Sequence, residues 1–503
     1  MRGPAQTGTA EDQVCVQPPT GTWKAAGRTL AELGRTPDGP RLRFGDPAAA
    51  QVSPAPVRGA CPQDRLDSVL LPVVSLAPDT DGVTAVLADG SRVRGGYAVV
   101  ADGASSAVRD GLGVSTLGRG RLGVPKMNIV FRADLYSRFG AVPYMTDITA
   151  PGAWAMLITV DGHDLWMLHV DYDPAKGESA EDFTDARCAA LVRQAVGVPE
   201  LPVEIVSRAS WWLHSQLAER FAHGRAFLAG DAAHAIPPLG AFGMNLGIAD
   251  AHNLAWKVAL VLRGTADGAL LDSYDTERRP VAAFTLQQAM LRLRNPALHW
   301  NPMAGDARRA VGAVSTPNVE LGYRYDSPAV VGPEPVPPST EDVRLNLDGA
   351  PGSRVPHLWV EHDGRRLSTL DLVASRFTVL AGPDGTGWCA AAERYAADTG
   401  SPLGAHRVGG SGPVRDPENR WPTPAGVDPT GALLVRPDGF VAWRATDGSG
   451  GGDPYRQLDR VLRAVLGHDR DHGNEPGAGA GVMAEPAVGP DVSKVAASLP
   501  TAP

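Results

Sequence analysis

Cysteine is scarce and scattered. The four in 503 residues, Cys15, Cys61, Cys188 and Cys389, form no CxxC pair and no Cys/His cluster, so no zinc site, disulfide framework or other metal centre is expected. Long apolar runs are missing as well. No stretch of about eighteen apolar residues occurs, and the opening MRGPAQTGTAEDQ has no apolar segment after its Arg, which argues against membrane insertion and export. Basic charge is not in excess: 47 Lys and Arg face 56 Asp and Glu, a net charge of −9 and a pI of about 5.8, which disfavours a polyanion-binding surface. The expectation is a soluble, cytoplasmic monomer or homodimer with neither nucleic acid nor membrane as partner.

What is present reads as globular. Apolar residues make up 43% and charged residues 20%, and the length suggests roughly three domains. Little periodicity marks residues 1–60. From Leu70 the runs VVSL, VTAVLA and YAVVA alternate with Asp-Gly turn signals, and WAMLITVDGHDLWMLHVDY places Asp161-Gly162 between two strand-forming runs, so antiparallel hairpins are expected. Apolar spacing of three and four predicts helices over 181–197 and 244–263, the second capped by Gly264. After a Pro-rich stretch, FTVLAG, GALLVRPDGFVAWRA and a helix near 455–466 predict a separate small α/β domain. The Gly/Ala/Pro-rich residues 469–503 are expected to be a disordered tail. The fold class is mixed α/β (α+β).

The densest chemical signal is GRAFLAGDAAHAIPPLGAFGMNLGIADAHNLAWKVALVLRG, residues 224–264. A short strand runs into Gly230-Asp231, then a Pro- and Gly-rich loop, then the helix near Met244. A strand-end Asp accepts hydrogen bonds from ribityl or ribose hydroxyls, glycines admit a flat ligand close to the backbone, and a helix N-terminus offers unpaired N–H groups. That arrangement suits a flavin.

The string resembles the second flavin-binding motif of the group A flavoprotein aromatic hydroxylases, the p-hydroxybenzoate and phenol hydroxylase family, and is most similar to the bacterial branch acting on aromatic polyketides. The resemblance implies FAD contacts from Gly230, Asp231, Pro238, Gly240, Gly243, Met244 and Asn245. ADGASSAVR, residues 101–109, is similar to the family's DG motif, associated with FAD and NADPH. It contributes Asp102, Gly103 and Arg109, with Ser105 where many relatives carry Arg. CPQDRLDSVL, residues 61–70, is similar to the segment whose Gln touches flavin, which adds Gln63. Residues from about 352 to 443 resemble the thioredoxin-like C-terminal domain, although Cys389 has no CxxC partner.

The domain division expected is 1–124, part of the FAD-binding region; 125–212, a substrate-binding sheet; 213–330, the FAD-binding GD motif and helices; 345–468, thioredoxin-like; and the tail. The family's first βαβ unit with GxGxxG is not found. The literal match Gly118–Gly123 has no apolar strand before it and Pro125 just after it, and is read as incidental. A second interruption follows Leu71. The Rossmann-like FAD domain is therefore expected to be incomplete.

The implied activity is FAD- and NADPH-dependent hydroxylation of a phenolic or quinone aromatic polyketide through a flavin C4a-hydroperoxide, with no catalytic side chain assigned. The alternative is a flavin-free homologue acting as a cyclase, dehydratase or binding partner in the same pathway. A planar aromatic substrate would lie over the sheet against Trp154, Trp166 and His169, with Met156 and Met167 beside them and Pro237 at the loop. Trp211 and Trp212 are placed at its flank, one of them simply buried. His234 and His252 are expected to be structural.

Overall fold

The computed structural model describes residues 24–27, 73–140, 142–149, 155–296, 305–332, 336–448 and 452–468. Gln63, Trp154 and the expected tail lie outside them. Strand β1 (Lys24–Gly27) is followed by a meander of β2 (Val73–Pro78), β3 (Val83–Leu87) and β4 (Arg92–Gly95), paired antiparallel in that order. Asp79 makes the first turn by accepting the Asp81 and Gly82 N–H groups on Oδ1 at 2.9 Å each, the local bonding that makes Asp-Gly a turn signal. Strand β5 (Ala98–Val100) then leaves the meander and leads into the short helix α1 (Ala107–Gly111).

Next come β6 (Thr116–Arg132), β7 (Met145–Ile148), β8 (Ala155–Thr159), β9 (Leu165–Asp171), helix α2 (Asp185–Val196) and β10 (Glu204–Ala218). The β8–β9 hairpin closes at the expected Asp161-Gly162, where Gly162 takes φ +69° and Asp161 Oδ1 accepts from His163 and Leu165. Helix α2 is capped by Thr184 and ended by Gly197 at φ +78°. It covers one face of the sheet, where Met127, Ile129, Phe131, Trp166, Leu168 and Val170 pack with Cys188, Val192 and Val196. Burying each large apolar side chain there contributes about 1.5–3 kcal/mol. Gly118, Gly120 and Gly123 lie inside β6 with φ of +115°, +67° and +64°, alongside the register shifts of its pairing with β10. They are glycines of a bulged antiparallel strand, not of a βα turn.

Strands β11 (Ala222–His223), β12 (Ala226–Leu228) and β13 (His234–Ala235) precede two long helices, α3 (Phe242–Leu262) and α4 (Asp272–Arg294). With β1 and β13, the strands β6–β10 form a seven-stranded sheet in the order β1-β7-β8-β9-β6-β10-β13, while β11-β12-β5 form a separate one. Helix α3 starts two residues before the expected Met244 and is followed by Gly264 in the left-handed region, φ +70°.

The C-terminal part comprises β14 (Trp359–His362), β15 (Arg365–Ser368), β16 (Phe377–Ala381), α5 (Thr386–Thr399), β17 (Leu403–Arg407), β18 (Val414–Arg415), β19 (Ala432–Val435), β20 (Val441–Ala445) and α6 (Pro454–Val465). Its main sheet runs β17-β16-β19-β20, with β16 and β17 parallel and the other pairs antiparallel. Trp256 and Leu260 of α3 share a core with Phe377, Trp388, Leu434 and Leu462, so this part packs directly on α3.

Candidate functional site

Two parallel strands set the crevice. Val100 of β5 pairs with Leu228 of β12, so Asp102 and Gly230 emerge side by side two residues beyond the carboxyl ends, where α/β sheets bind ligands. Gly103 turns the first loop at φ +87°, and Asp102 Oδ2 accepts the Val108 N–H at 3.1 Å. Arg109 is only 4% exposed and is engaged within the protein. Its Nη1 donates to the carbonyls of Ala104 and Ala232 at 3.3 and 3.2 Å, and its Nε and Nη2 donate to Asp110. It thereby straps the Asp102 loop to the Asp231 loop.

The second loop needs its glycines. Gly230 sits at φ +58°, and a Cβ on Gly247 would stand 3.1 Å from the Gly230 Cα. Gly240 takes φ +109° with the Phe242 ring against it. Pro237 is buried and Pro238 exposed, and the Pro238 carbonyl accepts from Ala241 at 2.9 Å. Ala241 adopts the left-handed conformation, φ 56°, and caps α3 without a side-chain hydrogen bond, which leaves the first-turn N–H groups and the positive end of a 21-residue helix for an external acceptor. Gly243 follows in that turn and Met244 is 56% exposed. Asn245 instead donates to Glu320 Oε1 at 2.9 Å.

Asp231 reaches solvent in the crevice but has protein packed around it. Burial pushes its carboxyl above the usual range, and His234 and His214 oppose the shift. Behind it lies a residue the sequence reading missed. Asp250 of α3, fully buried, accepts the Gly230 N–H at 3.1 Å and His234 Nε2 at 2.6 Å on one oxygen, and Arg278 Nε at 2.8 Å on the other. Burial alone would raise this carboxyl, yet Arg278 and His234 hold it below the ordinary range. His234 is thus structural, as expected, and His252 is exposed.

The loop feeds straight into the large sheet, because His234 and Ala235 pair with Leu217 and Gln216 of β10. Cross-strand register sorts that sheet's side chains. Asp147, Met156, His169, Asn128 and Ala209 form one row, and Met167 and Trp211 lie on the same face. Trp211 meets the His169 ring edge-on at 5.7 Å and donates to Asn128 Oδ1 at 2.5 Å. His169 is 8% exposed, and neither ring nitrogen has a hydrogen-bond partner among the described residues. Burial, with help from Lys126, pushes its pKa down to about 4, so the imidazole is neutral near pH 7.

Trp166 corrects the expected substrate set. Three residues from His169, it points to the opposite face, is completely buried in the core under α2, and donates to the Ala133 carbonyl at 2.9 Å. Trp212 lies beneath the Arg121 guanidinium. Both it and Trp211 are half-buried, so the expectation that one is simply buried also fails. Burial raises the Cys389 thiol to about 11, which leaves it protonated and unreactive.

These residues fit the ribityl and isoalloxazine parts of FAD: a strand-end carboxylate, a close glycine backbone and a helix N-terminus free of a side-chain cap converge on one crevice. A Gly-rich βα turn for the pyrophosphate is not among the described residues.

Comparisons with known proteins agree with that fit. Residues 68–289 match the FAD binding domain family, and residues 348–468 match the aromatic-ring hydroxylase C-terminal family. The tetracenomycin A2 monooxygenase-dioxygenase of Streptomyces glaucescens is 40% identical over 440 residues, covering 81% of this chain and 76% of the relative. The aklavinone 12-hydroxylase RdmE of Streptomyces purpurascens is 40% identical over 400 residues, covering 76% and 71%. The crystal structure of aklavinone-11 hydroxylase with FAD and aklavinone superposes with a TM-score of 0.76 at 34% identity, covering 90% of this chain and 87% of that one.

Proposed function

Since the chain belongs to the FAD-dependent aromatic-ring hydroxylases and is a flavin-dependent monooxygenase, we propose that it hydroxylates a phenolic or quinone ring of an aromatic polyketide at the expense of NADPH and O₂. The observation that carries this reading is that the Gly230-Asp231 loop leads through β13 into the same large sheet that carries the His169 face. Relatives named for tetracenomycin and aklavinone chemistry support the substrate class.

Asp231 would accept hydrogen bonds from the sugar-alcohol hydroxyls of the cofactor, Asp102 and Gly103 would line the neighbouring strand end, and the Pro238–Asn245 stretch would back the ring system through Gly240, Gly243, Met244 and the α3 N–H groups. Gln63 belongs to the same reading by motif. Bound FAD, reduced by NADPH, supplies the activation of O₂ and the delivery of one oxygen atom to an electron-rich ring carbon. The chain's own task is to orient the substrate and exclude water. Neutral His169 accepts a hydrogen bond from a phenolic hydroxyl, and Met156, Met167 and Trp211 offer a flat, polarisable surface. No side chain is assigned as general acid or base.

The test is turnover with labelled O₂. The holoenzyme, NADPH and a panel of tricyclic and tetracyclic phenols are expected to yield a product carrying one labelled oxygen. Protein that remains colourless with FAD and changes such phenols without taking up label would instead support the flavin-free reading.

A further inference from the structure

Helix α4 carries two consecutive charges in the interior. Glu277 is 2% exposed and Arg278 is fully buried, and they face different parts of the protein. Glu277 accepts a two-pronged hydrogen bond from Arg436, Nη1 to Oε1 at 2.5 Å and Nη2 to Oε2 at 2.8 Å. It also accepts from Lys257 Nζ at 2.8 Å, Asn253 Nδ2 at 2.7 Å and Ser327 Oγ at 2.5 Å. Arg436 and its second partner Asp438, 2.6 Å from Nη2, belong to the tight turn joining β19 to β20. That turn closes through the Arg436 N–H to the Phe440 carbonyl and the Gly439 N–H to the Arg436 carbonyl.

Arg278 faces the crevice. Besides Asp250 it donates to the Tyr325 hydroxyl at 3.0 Å and to the Leu246 carbonyl at 3.3 Å. Tyr325 is in turn gripped by the same C-terminal turn: its ring lies 4.2 Å from that of Phe440, and the Arg436 guanidinium stands 5.1 Å above it. Two connections therefore run from the turn to one helix. From that helix one line of buried hydrogen bonds continues through Asp250 to the Gly230 N–H and His234, and a second runs from the Tyr274 hydroxyl to the Leu228 carbonyl at 2.7 Å.

We infer that the C-terminal turn 436–440 is part of the apparatus that positions the Gly230-Asp231 loop, with Arg436 a positioning residue acting through Glu277 and through Tyr325, Arg278 and Asp250. A carboxylate shared by a backbone N–H, a histidine and an arginine fixes the loop only as well as the arginine is itself fixed. Arg278 has no exposed face on which water could replace a lost partner. The C-terminal domain thus has a part in cofactor retention, a conclusion that rests on the reading of this loop as the flavin contact.

Complete removal of Arg436 would leave Asp438 buried without its countercharge and Glu277 with Lys257 alone, and could unfold the chain. The informative variants are Arg436→Lys, which keeps charge but not the two-pronged geometry, and Tyr325→Phe, which removes one hydroxyl. Leu433→Ala serves as control, since it opens the core of the same domain on the strand that leads into the turn while removing none of the turn's hydrogen bonds. The measurements are FAD dissociation constant and amide hydrogen exchange of residues 229–235 in the cofactor-free full chain. Both test variants are expected to weaken FAD binding by about tenfold and to speed exchange of that segment by a similar factor. The control is expected to lower melting temperature with neither effect. Unchanged exchange at 229–235 in folded Arg436→Lys and Tyr325→Phe would overturn the inference, as would an equal change in Leu433→Ala. If the wild-type chain bound no FAD, the flavin reading would fall, while the exchange result would still decide whether the turn holds the loop.

Discussion

The crevice at Gly230 and the sheet face at His169 are linked through β10, which pairs with His234 at Leu217 and carries Ala209 in the His169 row, yet they are built to opposite rules. Behind the crevice, charges are paired in depth: Asp250 with His234 and Arg278, Glu277 with Arg436 and Lys257. On the sheet face a buried imidazole stands with both nitrogens unbonded, among Met156, Met167 and Trp211. A network whose charges are all paired holds one geometry before any ligand arrives, even with His234 Nδ1 lacking a hydrogen-bond partner among the described residues. An unpaired buried polar group costs stability until a ligand supplies the partner. Paired charge therefore marks the Gly230 loop, and an imidazole with neither nitrogen bonded among the described residues marks the His169 face.

The largest expected effect comes from breaking the paired side. Asp250→Ala strands Arg278 in the interior and should cost about 3–5 kcal/mol, read by urea unfolding; a variant as stable as the wild type would show that the pairing holds nothing. The unpaired side predicts a pH effect of intermediate size. The unfolded His169 titrates near its ordinary 6.5 and the folded one near 4, so the unfolded chain takes up the proton first. The contribution of this residue to stability is complete above about pH 6.5 and falls by about 2–3 kcal/mol as pH drops toward 4. Subtracting the profile of His169→Phe should isolate that slope, and identical profiles would remove His169 as its source.

A smaller effect sharpens the boundary between the two regions. Gly247→Val pushes on the Gly230 backbone and should cost about 1–3 kcal/mol while lowering flavin affinity; retention of full affinity would mean that the loop height is not critical. The smallest belongs to the substrate side, where His169→Phe should raise KM for a phenolic substrate by about tenfold and leave the FAD dissociation constant unchanged. A variant with altered flavin binding and normal KM would reverse the assignment.

Much of the backbone of the Gly230–Ala241 loop was legible in the sequence because its requirements are local. Gly230, Gly240 and Gly264 are needed for backbone conformation, the α3 pattern repeats at helical spacing, and the Asp161-Gly162 hairpin carries its own turn chemistry. The sheet face was legible only in part. His169 and Met156 share a row, but Trp166 was grouped with them although an odd separation along a strand sends it to the other face. Helix α4 escaped as a helix because Pro280 and seven charged residues among its 23 mask the pattern. The buried charges Asp250, Glu277, Arg278 and Arg436 were invisible for a different reason. Charged residues are nearly always exposed, and apart from Asp438, two positions from Arg436, their charged partners lie 16 to 159 positions away, a pairing that only the folded chain reveals.

The most direct test of the whole account is an equilibrium titration of the purified chain with FAD, followed by flavin fluorescence and visible circular dichroism, in the wild type and in Asp231→Ala. The account predicts saturable one-site binding with an induced dichroic signal, weakened in Asp231→Ala without loss of melting temperature. A folded wild-type protein that shows no saturation at excess FAD, or an Asp231→Ala variant that binds equally well, would contradict it.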